Sequence, residues 1–295
     1  MPIFYRKLPR FDYIRARHIE EALWLLDEHG GQARILAGGT DLIPMLKNRQ
    51  LPKPAYVIDL KGAAGLDGIT YSEAKGLSIG ALATISQIAE SPVIGEHAPI
   101  LAEAALLMAS PQVRNRGTFA GNICGAVPSA DSAPSLLALN AVVRMRSKSG
   151  ERAVPLEEFI TGPRATVIEP HEMVTAIEIP ALPAGLKGTY LKLSPRHSMD
   201  LAVVGVAVAG VMKQGICEDV RIGVGAVAPT PIRAHMAEDL LRGNKVTANL
   251  IDEAARHSVT QCDPIDDHRA SREYRCDMVY VMAKRALNQV LTAGI

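Results

Sequence analysis

The run Ile35-Leu36-Ala37-Gly38-Gly39-Thr40-Asp41-Leu42 constrains this 295-residue chain more than any other. Apolar residues enter a Gly-Gly pair and leave it toward a second apolar stretch, a pattern that reads as strand, tight turn and helix start. Glycine reaches positive φ and lets a ligand approach the backbone with no Cβ in the way. Successive amide N–H groups in such a turn face one concavity, and the helix start adds partial positive charge. The result is a cradle for a pyrophosphate that needs no lysine or arginine. Thr40 adds a hydroxyl donor, and a side chain introduced at Gly39 is expected to take the phosphate's space. Asp41 carries the wrong charge for a phosphate contact and is expected to cap the helix instead. Pro44 falls in the first helical turn, where its missing N–H costs little. Gly-Gly pairs are common, so a plain left-handed turn before a capped helix accounts for this stretch equally well when it is taken alone.

The surroundings place the turn in a βαβ-like unit. Ile19–Glu28 reads as a helix with Ala22, Leu23 and Leu26 on one face and Gly30-Gly31 as its stop. Arg34–Leu36 is a short strand, Leu42–Arg49 a helix closed by Leu51-Pro52-Lys53-Pro54, and Tyr56–Leu60 a second strand. From Leu66 the pattern shifts to short strands, Gly68–Tyr71 and Gly76–Ile79, then to helices Ile85–Ala89 and Ile100–Met108. Ser110–Pro134 reads as a long loop, and long loops inside a domain are usually functional. Regular structure resumes at Leu136–Leu139 and Val142–Arg146, and the Ala176–Pro180 strand ends the region. Ala181–Gly188 marks a boundary. Beyond it lie strands Thr189–Leu193, Ala202–Met212 and Val220–Val227, then helices Ile232–Leu241, Leu250–His257 and Arg272–Thr292. The expected class is α+β, with one domain over 1–180 (subdomains about 1–57 and 58–180) and a small α+β domain over 181–295, its helices on one face of an antiparallel sheet.

A second loop sharpens the reading. Arg114-Asn115-Arg116-Gly117-Thr118-Phe119-Ala120-Gly121-Asn122-Ile123-Cys124 leads into Val127-Pro128-Ser129-Ala130-Asp131-Ser132-Ala133-Pro134. Thr118, Asn122 and Ser129 offer neutral donors, which suit an anion or the edge of a flavin. Asp131 can accept from a hydroxyl or a ring N–H. Together the two loops resemble the FAD-binding medium subunits of the xanthine dehydrogenase and carbon monoxide dehydrogenase family, the molybdenum hydroxylases. The resemblance continues through Ile79-Gly80-Ala81-Leu82-Ala83-Thr84, Phe159-Ile160-Thr161-Gly162-Pro163 and Asp200-Leu201-Ala202-Val203-Val204. It extends to Gly225-Ala226-Val227-Ala228-Pro229-Thr230-Pro231 and Arg269-Ala270-Ser271-Arg272-Glu273-Tyr274-Arg275, and so covers nearly the whole chain in order.

That resemblance implies a two-part FAD domain of the vanillyl-alcohol-oxidase (PCMH) type followed by a C-terminal domain of the CO dehydrogenase flavoprotein type. It implies that Leu36, Ala37, Gly38, Gly39, Thr40, Asp41 and Leu42 hold the pyrophosphate. Gly117, Thr118, Gly121, Asn122, Ser129 and Asp131 would hold ribityl and phosphate groups. The backbone near Met173 would line the isoalloxazine, and Lys192 would approach its pyrimidine edge, where positive charge favours the anionic reduced flavin. It further implies a large subunit with a molybdenum–pterin cofactor and a small subunit with two 2Fe–2S clusters, assembled as a dimer of heterotrimers. This chain would then pass electrons and not turn over substrate alone. One departure is Ala120, where relatives often have glycine; its methyl could narrow the loop or alter its φ. Two other readings stay open: a self-contained flavin oxidase or reductase of the same fold, and a scaffold subunit without flavin.

Composition removes other classes. Lys plus Arg (32) and Asp plus Glu (31) nearly cancel, so no broad field draws nucleic acid or an anionic membrane. Aromatics at 4% argue against stacking platforms for single strands. Met1–Arg10 lacks the apolar run of a signal peptide, and Leu201–Met212 is too short to span a bilayer. Cys124, Cys217, Cys262 and Cys276 form no CxxC, which fits a reducing cytoplasm and predicts no metal or cluster site in this chain. Gly223-Val224-Gly225-Ala226-Val227-Ala228 matches GxGxxA, but Pro229 and Pro231 forbid the helix such a motif must open. It reads as a strand, with Thr230 capping a helix that starts at Pro231. Asp263, Asp266, Asp267 and His268 read as a solvated acidic loop, and His171, His197 and His235 lack nearby nucleophile or carboxylate patterns. No catalytic side chain is expected.

Overall fold

The computed structural model describes residues 7–196 and 198–292, so His197 and the start of Met1–Arg10 lie outside the described residues. The first unit contains β1 (Asp12–Arg15), α1 (Ile19–His29), β2 (Ala33–Leu36), α2 (Leu42–Lys47) and β3 (Tyr56–Asp59). Its sheet is parallel in the order β1-β3-β2. Ala22, Leu23, Leu25 and Leu26 of α1 are buried, and Gly30 ends the helix at φ 48°. Strand β1 escapes the sequence reading because Asp-Tyr-Ile-Arg is exposed at three of its four positions and shows no apolar alternation. Parallel pairing of β2 with β3, with α2 between them, makes the expected βαβ unit.

The second unit holds β4 (Ile69–Ser72), β5 (Gly76–Gly80), α3 (Ile85–Glu90), α4 (Pro92–His97) and α5 (Pro99–Leu106). Next come α6 (Pro111–Arg114), α7 (Phe119–Cys124), α8 (Ser132–Ala138), β6 (Val142–Ser147) and β7 (Gly150–Pro155). It closes with α9 (Leu156–Phe159), β8 (Ile160–Gly162), β9 (Ala165–Thr166) and β10 (Met173–Ile179). Five of its strands form an antiparallel sheet in the order β4-β5-β10-β6-β7. The expected loop over Ser110–Pro134 is corrected: it contains α6, α7 and the start of α8. These helices are too short to display an apolar period. Their prolines and glycines also sit at the ends, with Pro111 opening α6 and Gly125 following α7.

The third unit holds β11 (Lys187–Leu193), β12 (Val204–Lys213), β13 (Ile216–Gly225), β14 (Ile232–Arg233), α10 (His235–Leu241), α11 (Ala248–His257) and α12 (Arg272–Leu291). The sheet is antiparallel in the order β11-β12-β13-β14. Strand β12 alternates by size: Val204, Val206 and Val208 join the core under α10–α12, whereas Ala207 and Ala209 join the core of the second unit. Both faces are therefore covered, which is why β12 reads as an unbroken apolar run. All seven residues of α8 are buried. The GxGxxA stretch lies in β13 and the turn after it, and a Cβ at Gly223 would come 2.1 Å from the Pro134 carbonyl oxygen of α8. The helix expected from Pro231 begins only at His235, with Ala234 and not Thr230 at its N-cap. Ile232 and Arg233 instead pair with Val224 and Gly223.

Candidate functional site

The two glycine turns meet. A Cβ built on Gly38 would lie 1.9 Å from the Arg116 carbonyl oxygen and 2.9 Å from Gly117 Cα, so the main chains touch with no side chain between them. One built on Gly117 would lie 3.3 Å from Thr40 Oγ1. Beside this contact opens a cleft of about 340 Å³, lined in part by Ala37, Gly38, Lys61, Thr84, Gln87, Asn115, Arg116 and Thr118. Ala37, Gly38 and Thr118 are thus the expected residues that line it directly. The other expected residues, from Leu36 and Gly39 to Asp131, Met173 and Lys192, do not line it.

Each glycine has its own reason. Gly38 allows loop to meet loop. Gly39 sits at φ 77°, and a Cβ there would strike Leu36 Cδ1 at 2.9 Å. A side chain at Gly39 would therefore meet Leu36 and strain the backbone. The cap expected of Asp41 is also corrected. It occupies the N-cap position of α2 in a helical conformation (φ −103°, ψ −50°) and its carboxylate makes no capping bond. Capping needs an extended residue, which turns its side chain back toward the first amides. Burial pushes the Asp41 carboxyl up, with Arg164 pulling the other way.

The second turn is capped as well as packed. Thr118 Oγ1 accepts from the Gly121 N–H at 2.9 Å, and a Cβ on Gly121 would come 2.9 Å from that same oxygen. Its hydroxyl hydrogen stays available as a donor. Asn122 Oδ1 accepts from Ser132 Oγ at 2.7 Å, which ties the turn to α8. Ala120, 4% exposed, lies in the main core, so its methyl neither narrows the cleft nor forces an unusual φ. Ser129 sits in the connection between α7 and α8.

A third group collects at the seam with the C-terminal unit. Asp131 accepts from the Tyr190 hydroxyl at 2.9 Å and from Lys192 Nζ at 2.8 Å. Lys192 also donates to the Leu107 carbonyl at 3.2 Å and the Asp200 carbonyl at 2.9 Å, so all three ammonium hydrogens have acceptors. Its side chain is 6% exposed, so the ammonium is held inside the protein and not in solvent. Burial pushes Asp131 up while Lys192 and Tyr190 oppose it; burial and Asp131 push the Tyr190 phenol well above its ordinary value. Met173 is buried in the small core with Leu66, and Leu82, packed against that core, lines the cleft.

The sequence reading missed Lys61, Gln87, Asn115 and Arg116. Lys61 is a single lysine after a strand and carries no pattern; Arg116 lies within the quoted second loop but matters through its carbonyl. Two further expectations are corrected. His235 Nε2 lies 2.6 Å from Glu157 and Nδ1 3.5 Å from Glu238, carboxylates brought up by folding. Asp267 is not a free acid: it accepts from the Arg269 amide, the Ala270 amide and the buried Arg275 guanidinium. Among the described residues no group of three or more His, Cys, Asp or Glu is placed to hold a metal.

Comparison with known proteins decides the family. Residues 9–182 match the FAD binding domain in molybdopterin dehydrogenase, and residues 189–290 match the CO dehydrogenase flavoprotein C-terminal domain. The chain belongs to the FAD-binding medium subunits of the molybdenum hydroxylase family. A solved structure of carbon monoxide dehydrogenase from Hydrogenophaga pseudoflava superposes with a TM-score of 0.93 at 36% identity, covering 97% of this chain and 99% of that one. The carbon monoxide dehydrogenase medium chain of the same organism is 35% identical over 95% of this chain and 96% of its own length. The 6-hydroxypseudooxynicotine dehydrogenase complex subunit alpha of Paenarthrobacter nicotinovorans is 36% identical over 97% and 96%.

This medium subunit is accordingly an oxidoreductase subunit with an FAD-binding domain. The cleft fits that cofactor's phosphates: it opens where two main chains touch, with the Thr118 hydroxyl and the Gln87 and Asn115 side chains in its lining. No described helix of the medium subunit is long and apolar enough to cross a membrane.

Proposed function

We propose that FAD binds non-covalently with its pyrophosphate against the turn Leu36–Leu42, where Gly38 meets Arg116. Gly117, Thr118, Gly121, Asn122, Ser129 and Asp131 hold the ribityl and phosphate groups. The backbone near Met173 and the buried Lys192 face the isoalloxazine. Bound there, FAD supplies the ability to accept electrons singly and release them in pairs. The subunit passes electrons between 2Fe–2S clusters on a small subunit and an external acceptor, while a large subunit with a molybdenum–pterin cofactor handles substrate. The assembly is a dimer of heterotrimers in the cytoplasm. The main-chain contact between Gly38 and Arg116 carries this reading, because it brings the two turns together and a Cβ at Gly38 would force them apart.

The test is purification of the native complex with flavin, iron and molybdenum analysis, together with FAD titration of the isolated chain. The expected result is flavin in this chain, with iron and molybdenum on its partners. Steady turnover of a small substrate by the isolated chain would favour a self-contained oxidase. Failure to take up FAD at all would leave a scaffold.

A further inference from the structure

Lys61 does more than line the cleft. Its Nζ donates to the Ala37 carbonyl at 3.0 Å and to Asp59 Oδ1 at 2.6 Å, and its backbone N–H donates to the same Asp59 oxygen at 3.0 Å. Asp59, 3% exposed at the end of β3, also accepts from the Tyr13 hydroxyl of β1. Ala37 is the residue that follows β2. One chain of hydrogen bonds therefore crosses all three parallel strands at the edge where the glycine turn begins. The backbone under Lys61 is also fixed, since a Cβ on Gly62 would meet the Ala16 carbonyl oxygen at 2.3 Å. Burial pushes Asp59 up, but hydrogen bonds from Lys61 and Tyr13 outweigh it and hold the carboxyl below its ordinary range.

We propose that Lys61 is a positioning residue for the pyrophosphate cradle, holding the Ala37 carbonyl while Asp59, itself held by Tyr13, holds Lys61. The peptide plane supplies the link: in a trans peptide the C=O and the following N–H point in opposite directions. Anchoring the Ala37 oxygen on Lys61 thus orients the Gly38 N–H away from the lysine. This inference rests on the FAD reading above. A competing role exists, because the Lys61 side chain is 31% exposed and lines the cleft, so it could bind a phosphate directly. The two roles differ in sign. A direct ligand is weakened by its carboxylate neighbour, so removing that charge tightens binding. A positioner loses its anchor.

The experiment titrates FAD into the flavin-stripped full-length chain, with the melting temperature of each apo variant as control. Lys61→Met and Asp59→Asn should each weaken FAD binding by about ten- to a hundredfold, the range for a lost charged hydrogen bond. Lys61→Arg should retain most of the affinity, because a guanidinium can reach both the carbonyl and the carboxylate. Tighter FAD binding in Asp59→Asn overturns the proposal in favour of a direct phosphate contact. Unchanged affinity in Lys61→Met, or affinity falling only in step with melting temperature in all three variants, overturns it too. Gly38→Leu separates the two levels. If it keeps its FAD, the site assignment itself fails; if it loses FAD while Lys61→Met and Asp59→Asn keep it, this inference alone fails.

Discussion

The Gly38–Arg116 contact and the Asp131–Tyr190–Lys192 cluster belong to one proposed site but are built from opposite materials. The first is main chain against main chain, and its specification is an absence: no Cβ at Gly38. The second is three side chains buried together, and its specification is a balance of charge and hydrogen bonds. A backbone site should fail all at once when filled, whereas a side-chain site should be tunable one group at a time.

The sharpest way to break that contrast is Gly38→Leu. With 1.9 Å between its Cβ and the Arg116 oxygen, the turns must separate. A cost on the order of 3 kcal/mol, the upper range for a packing clash, corresponds to roughly a hundredfold loss of FAD affinity, measurable by titration. Near-normal affinity would show that the turns need not touch. Breaking the charge pair should cost a comparable amount of stability but less FAD affinity, shifting the flavin without expelling it. Lys192→Met leaves Asp131 buried with Tyr190 alone, for which about 3–5 kcal/mol is the reference for an orphaned buried partner. Lys192→Met should lower the flavin midpoint potential and Asp131→Asn should raise it, since one removes positive and the other negative charge. Potentiometry showing shifts of one sign, or loss of FAD in proportion, contradicts the electronic role.

Acid titration extends the comparison to a carboxylate outside the site. Burial pushes Asp267 up, but the Arg269 and Ala270 amides and the Arg275 guanidinium outweigh it and hold it at about 2, against an ordinary 3.8. A depressed folded value means the stabilisation is present above the ordinary value and is lost as pH falls through about 2. Asp267→Asn should therefore flatten the acid limb of the melting-temperature profile in that window. The same slope in both proteins would assign the limb to other groups. The smallest effect is expected from Thr118→Ala, which deletes the cap on a helix of six residues. It should lower stability by about 1 kcal/mol and weaken FAD modestly.

Legibility followed the same division. The glycine turns were readable because conformational need is written in residue type. Gly-Gly after an apolar run and glycine beside threonine carry their reason locally. The strands β12 and β13 were readable from apolar runs, and the helix α12 from its length. Side-chain partnerships were not. Tyr190 and Lys61 became visible only after folding joined them to Asp131 and Ala37, residues distant in sequence. The same holds for His235 and Glu157. The Asp41 cap was misread because the helix takes helical dihedrals one residue earlier than its composition suggests. Strand β14 was missed because two residues against the end of β13 carry no period of their own.

Helix α8 has a consequence for the order in which the molecule is made. It follows the second glycine turn directly and is bonded to it through Ser132 and Asn122. Part of its cover is β13, where Gly223 yields to the Pro134 carbonyl, and that strand emerges from the ribosome much later. The glycine turns are thus translated early but finished late. A nascent chain that ends before β13 has both turns and the Ile85–Gly117 bond that steadies the second, but not the strand that backs α8 behind it. Full cofactor uptake should wait on a strand that packs behind the second turn, against Pro128 and Pro134.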